Sequence, residues 1–175
     1  MDIENLTAQV ESTAQAIRAL TENVSADAAS WKPHADAWSL LDVVIHLAYE
    51  EEYDFPARLH RVLHHPHKEW PPGDPARGVT ETKRRQGLEH ARDAFTSARQ
   101  ESLAWLRGLE APDWDAAYET PFGQIRAGDL MAAWVAHDLL HLRQLIELRY
   151  RHLAQQVRPY RLRYAGRWEW EPDRE

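Results

Sequence analysis

The chain has 175 residues, a formal net charge of −7 and no cysteine. That length suits a single domain over residues 1–175 with a real core, and the missing thiols exclude a disulfide framework, a thiolate zinc site and a cysteine nucleophile. The acidic balance argues against nucleic-acid backbone binding as the main task, and no apolar run reaches the ~18 residues of a membrane span.

Residues 2–24 form the first expected helix. Ile3, Leu6, Val10, Ile17, Leu20 and Val24 recur at three- and four-residue steps, opposite Glu4, Glu11, Gln15, Arg18 and Glu22. The Met-Asp-Ile-Glu start lacks the basic and apolar regions of a secretion signal, so a cytoplasmic location is expected. Residues 25–37 connect, with one short helical turn at 26–30 and a break at Lys32-Pro33; Trp31 and Trp38 bracket the segment and pin it to the core. A second helix is expected over residues 39–64, opened by a Ser39/Asp42 capping box and kinked at Pro56. Residues 40–48 are apolar almost all round, interrupted by Asp42 and His46, so both sides of this helix should be covered, by the bundle and by a second subunit. Residues 66–79, with Pro66, Pro71, Pro72, Gly73, Pro75 and Gly78, read as a long loop.

The third helix is expected over residues 80–109, with a weaker stripe from Leu88 through Phe95 and Leu106 to Leu109 and a solvated face carrying Lys83, Arg84, Arg85, Glu89, Arg92 and Asp93. Residues 110–128 form a loop with a Thr120-Pro121-Phe122-Gly123 turn and a short extended stretch at 124–126. The fourth helix spans residues 130–150, free of glycine and proline, with Asp129 as its expected N-cap. Beyond a core of about 2–151, residues 152–175 make a tail rich in aromatic side chains, which predicts packing against the bundle or a partner subunit.

The fourth helix carries the candidate chemistry. Leu130, Trp134, His137, His141, Gln144 and Leu148 share one face, so two imidazoles one turn apart point where a core belongs. With ten histidines in 175 residues, chance gives roughly 0.6 of an i,i+4 pair, so spacing alone decides little. Context separates His137/His141, among Trp134, Val135, Leu139 and Leu140, from a second pair, His60/His64, among Arg61, His65, His67 and Lys68. A buried imidazole needs a partner on each nitrogen. A metal on one and a carboxylate, carbonyl or water on the other satisfies both; so do hydrogen bonds to neighbouring helices. His46 is a third histidine in apolar surroundings. Glu50, one turn later, reads either as a solvated helix face or as a ligand, base or hydrogen-bond acceptor at a site.

The motifs Trp38-Ser-Leu-Leu-Asp-Val-Val-Ile-His46 and Gly128-Asp-Leu…Ala136-His137-Asp138-Leu-Leu-His141-Leu-Arg-Gln144 resemble those of the DinB/YfiT-like family, and Thr120-Pro-Phe-Gly resembles its loop before the last core helix. The resemblance spans about residues 2–151. It implies an all-α, up-down-down-up four-helix bundle and a divalent metal held by His46, His137 and His141. Dimers are common in the family, which includes thiol-dependent S-transferases and a thiol-dependent isomerase. The family often has histidine where this chain has Leu140.

Three neutral imidazoles leave a divalent ion an open position, which is the catalytic pattern; a structural site is closed by a fourth protein ligand. Three nitrogens suit zinc first and nickel second. With no cysteine in the chain, a reacting thiol would be a low-molecular-weight cofactor. Tyr49, Tyr53, Glu50 and Trp134 are candidates to shape a small-molecule pocket. Asp42, Glu50, Asp138 and Gln144 are candidates to fix the imidazole tautomers. The expected function is therefore a metal-dependent transferase or hydrolase, working as a homodimer. The alternative is a non-catalytic, metal-stabilised bundle serving assembly or a stress response. A basic strip over residues 158–167 is the one feature that suits nucleic acid.

Overall fold

The computed structural model describes residues 2–70, 78–120, 123–166 and 168. The expectations that rest on Pro71, Pro72, Gly73 and Pro75, on Pro121 and Phe122, and on the tail after Trp168 lie outside those residues. Six α-helices are described: α1 (Ile3–Thr21), α2 (Ala26–Ser30), α3 (Leu40–Tyr53), α4 (Phe55–His64), α5 (Glu81–Arg107) and α6 (Ala127–Gln156). A hairpin of β1 (Ala117–Thr120) and β2 (Gly123–Arg126) precedes α6. Helices α1, α3, α5 and α6 form an up-down-down-up four-helix bundle, in which α5 packs on α1 and α3, and α6 closes the ring. None of the described helices is long and apolar enough to cross a membrane.

Local chemistry sets the boundaries. The Asp2 carboxylate accepts from the Asn5 backbone N–H at the start of α1. Ser39 and Asp42 make the expected reciprocal box at the start of α3, each side chain accepting from the other's backbone N–H at 3.1 Å. The segment expected to be one kinked helix is two. It breaks at Asp54 (φ −115°, ψ −92°), and Pro56 sits in the first turn of α4, where its missing N–H costs nothing. Helix α5 also carries a break that the sequence reading lacked. Gly87 adopts φ +85°, ψ +175°, a conformation open to glycine and hostile to other residues. Helix α6 starts earlier than expected, and Asp129 lies inside its first turn. Its carboxylate reaches back to accept from the Arg126 backbone N–H at 3.0 Å, so it caps from within rather than standing at the N-cap.

The interior has two apolar halves. One gathers Ile17, Val44, Leu47, Phe95 and Leu145; the other gathers Val10, Leu59, Leu103, Met131 and Trp134. Between them lies a polar layer drawn from all four bundle helices: Thr13, Glu51, Arg99 and Asp138. Arg99, 2% exposed, donates from Nη1 to Asp138 Oδ2 (2.6 Å) and the Val10 carbonyl (2.8 Å), and from Nη2 to Asp138 Oδ1 (3.0 Å). Glu51 Oε2 lies 2.8 Å from Nη2 and also accepts from the Trp134 indole at 3.2 Å. The Thr13 hydroxyl donates to Asp138 at 2.7 Å. Burial would lower the Arg99 proton affinity, but Asp138 and Glu51 raise it instead. Burial pushes the Glu51 carboxyl up against the opposing pull of Arg99, as one cation shared between two buried carboxylates requires.

The apolar all-round stretch of α3 is buried within the single chain, from Leu40 through Ala48, so it leaves nothing for a second subunit to cover. Among the described residues of the tail, packing is partial. Trp168 stacks on Tyr150 (4.1 Å between centroids) and donates to Glu147, whereas Tyr160 and Tyr164 are exposed.

The polar layer makes a stability prediction. Arg99→Met leaves Glu51 and Asp138 buried without their cation, so it should lose about 3–5 kcal/mol in urea unfolding at pH 7, whereas Arg18→Met, which breaks an exposed pair with Glu22, should lose under about 1 kcal/mol.

Candidate metal centre

Helix α3 places His46 within its buried run, and α6 places His137 and His141 one turn apart on the face toward it. The three rings converge. His46 Nε2 lies 3.2 Å from His137 Nε2, and His141 Nε2 lies 3.1 Å from His137 Nε2. One nitrogen from each ring falls within 4.8 Å of the others. Among the described residues no other group of three or more histidine or carboxylate ligands comes together, and no fourth such ligand joins this one.

The spacing fits one ion. Two nitrogens bound to the same tetrahedral centre at about 2.0–2.1 Å stand about 3.3–3.4 Å apart, close to the separations seen here. Tautomers argue the same way. The His141 Nδ1–H donates to Gln144 Oε1 at 2.8 Å, so the neutral ring turns a bare lone pair on Nε2 toward the cluster. His137 Nε2 then has two neighbours and at most one proton to offer them. A cation between the rings satisfies all three nitrogens at once.

Charge and solvent shape the surroundings. His137 resists protonation, with its pKa lowered to about 3, first by burial and then by His141, His46 and Arg99. His141 is lowered by burial, against the opposing hydrogen bond to Gln144. Rings that stay neutral keep lone pairs for a ligand's role. Glu50 is buried, with Oε1 3.6 Å from His46 Nδ1, beyond hydrogen-bond length. Its pKa is raised to about 7, first by burial and then by Asp54, against Arg58. His46 is buried and the other two rings are half-buried, so the cluster has an inner end and an outer one.

The second-layer expectations resolve differently from one another. Gln144 holds His141, and Glu50 stands beside His46, buried rather than on a solvated face. Asp42 serves elsewhere, capping α3 and pairing with Arg84 (2.6 Å) and Lys32 (3.1 Å). Asp138, although next to His137 in sequence, points into the polar layer. Trp134 is likewise one shell back: it stacks behind Phe55, and Phe55 packs on His137 at 4.9 Å. Tyr49 contacts Tyr53 and lies so close beneath Gly78 that a Cβ there would come within 2.5 Å of its side chain. Leu140 is 62% exposed and Leu139 is also exposed, so the apolar setting expected for the histidine pair is one-sided. Two residues beside the rings carry no site role in the sequence pattern: Trp38, which packs on His46 (4.8 Å) and His141 (6.3 Å), and Phe55; Trp38 heads the His46 motif and brackets the connector, and neither position marks it as a ring contact. His60 and His64 remain apart from the cluster on α4, outside any group of three.

Residues 9–145 match the DinB superfamily. The chain belongs to the DinB superfamily. Among solved structures, this DinB-superfamily chain is similar to YfiT from Bacillus subtilis, with a TM-score of 0.75 and 16% identity over 86% of this chain and 87% of that one. That protein is described as "a probable metal-dependent hydrolase with an unusual four-helix bundle topology". At that identity the likeness establishes the fold. No curated protein matches the chain by sequence.

Two of the perturbed groups, His137 and Glu50, pull stability in opposite directions with pH. His137 sits at about 3 when folded against an ordinary 6.5, so between those values the unfolded chain holds more protons and acidification costs stability. Glu50 sits at about 7 against an ordinary 4.5, so over that window the folded chain holds more protons and acidification adds stability. The two offset each other between about 4.5 and 6.5 in metal-free protein. Glu50→Gln removes one side. Its urea midpoint should therefore fall more steeply than that of the parent as pH drops from 6.5 to 4.5, and parallel curves contradict the assignment.

Proposed function

We propose that this DinB-superfamily chain is a metal-dependent enzyme of the thiol-dependent S-transferase or hydrolase type, acting on a small molecule at a divalent ion held by His46, His137 and His141. The observation that carries the reading is the convergence of the three rings with no fourth protein ligand among the described residues. Such a donor set leaves at least one position for an outside molecule. The description of YfiT as a probable metal-dependent hydrolase supports the same reading. Zinc is the first choice of ion and nickel the second, on the preference of imidazole donors.

The chemistry such an ion supplies is Lewis acidity toward an oxygen or sulfur of the bound small molecule. The chain's own residues do the rest. Gln144 fixes the His141 tautomer, and Trp38 and Phe55 wall the rings against water from two sides. Glu50, buried beside His46 Nδ1, is placed to hold a proton near the inner end of the cluster. The chain has no cysteine, so a reacting sulfur comes from a low-molecular-weight thiol. A cytoplasmic location belongs to this reading, because reduced thiol pools are kept there.

A homodimer belongs to this proposal, through the outer face of α6 rather than through α3. Leu139, Ile146 and Leu153 are exposed at seven-residue steps along α6, with Leu140 beside them. Such a stripe on an outer helix face suits a second copy of the same helix. Light scattering at micromolar concentration should give twice the chain mass, and Ile146→Glu should halve it; a monomeric parent removes the dimer from the account.

The enzyme reading is tested with cobalt(II) in the site. Adding 2-mercaptoethanol should produce a sulfur-to-cobalt charge-transfer band and shift the visible absorption, since the thiol enters the open position as thiolate. A spectrum indifferent to thiol and to azide means a closed site, and the non-catalytic, metal-stabilised bundle then replaces the enzyme.

A further inference from the structure

Helix α4 carries a second histidine constellation that the proposed site does not use. His60 and His64 stand at i,i+4 on its exposed face, with ring centroids 4.6 Å apart and planes inclined at 56°. The same molecule supplies the comparison. His137 and His141, also at i,i+4, have centroids 4.4 Å apart and planes at 66°, and their Nε2 atoms approach to 3.1 Å. The α4 pair therefore brings two exposed rings to nearly the same separation, one turn apart on one helix face. His65, at the end of α4, adds a third ring 6.0 Å from His60.

Burial first, and then the basic neighbours His64, His65 and Arg61, hold the pKa of His60 below its ordinary value, so the ring keeps a lone pair to offer. The Trp105 ring flanks His60 at 5.8 Å and fixes one side of it. Glu52 and Glu101 share the lining of one hollow with His60, and Glu110 and Asp113 share that of another with His64. Arg61, within the same turn, is the opposing charge. Two imidazoles with water completing the shell suit copper(II) and nickel(II), which accept tetragonal nitrogen and oxygen donors.

We infer that His60 and His64 form a second, solvent-open site for a transition-metal ion, independent of the three-histidine centre and weaker than it. Two ligands on one rigid helix give a chelate: once the first nitrogen is bound, the second is held at high effective concentration. Two protein ligands instead of three, both in water, make the site the weaker of the two. Its occupancy then tracks the free ion concentration, whereas the inner centre stays filled.

The test is a calorimetric titration of full-length protein with copper(II) at pH 7.4, alongside electron paramagnetic resonance of the bound ion. The parent should show two classes of site. His60→Gln and His64→Gln should each weaken the second class by roughly tenfold or more while leaving the first unchanged. His137→Gln should abolish or weaken the first and leave the second. Circular dichroism checks that each variant is folded, which exposed positions on α4 favour. A single class in the parent, or a second class that survives both α4 substitutions, overturns the inference.

Discussion

The shared guanidinium of Arg99 is the constraint on which the arrangement depends. It ties the backbone of α1 at Val10, the Glu51 carboxylate of α3 and the Asp138 carboxylate of α6 to α5 in one buried layer. Apolar packing alone tolerates sliding of one helix on another, because leucine and valine faces are interchangeable within a turn. A buried charge is not so tolerant: a slip of one residue strands a carboxylate in the core at a cost of several kcal/mol. The layer therefore fixes the registers of α3 and α6, and those are the two helices that carry the histidines.

The consequences for the site follow from sequence adjacency. Glu51 follows Glu50 and lies five residues after His46; Asp138 follows His137 directly. Each helix thus turns one side chain inward to Arg99 and a neighbour outward to the three-ring cluster. Locking the inner residues aligns the outer ones, which is how a helix bundle holds imidazoles within the few tenths of an ångström that a metal ion demands. Trp38 and Phe55 complete the frame from the flanks, and the half-buried position of His137 and His141 keeps one side accessible.

Much of this was legible in the sequence, for definable reasons. The stripe of α1, the Ser39/Asp42 box and the unbroken α6 are local features, and local features are written in spacing. So are His137 and His141, one turn apart. His46 was suggested by its apolar setting and tied to the pair through motif resemblance, since 91 residues separate it from His137 and only folding unites them. The Arg99 layer was not legible: an arginine in a helix with many charges reads as solvated, and nothing in its spacing marks it as the one that turns inward. Gly87 carries no signal of its break, because one glycine inside a helical pattern is compatible with a continuous helix. The apolar run at residues 40–48 was legible as buried but not as to what buries it, and the single chain does so unaided.

The central claim, that His46, His137 and His141 hold one ion together, is tested most directly by metal content. Purified protein should be washed with a mild chelator and measured by elemental analysis. The account predicts close to one divalent ion per chain in the parent and in His60→Ala, and close to none in His46→Ala and His137→Ala. Equal metal in all four proteins, or none in the folded parent after loading with zinc or nickel, would contradict it.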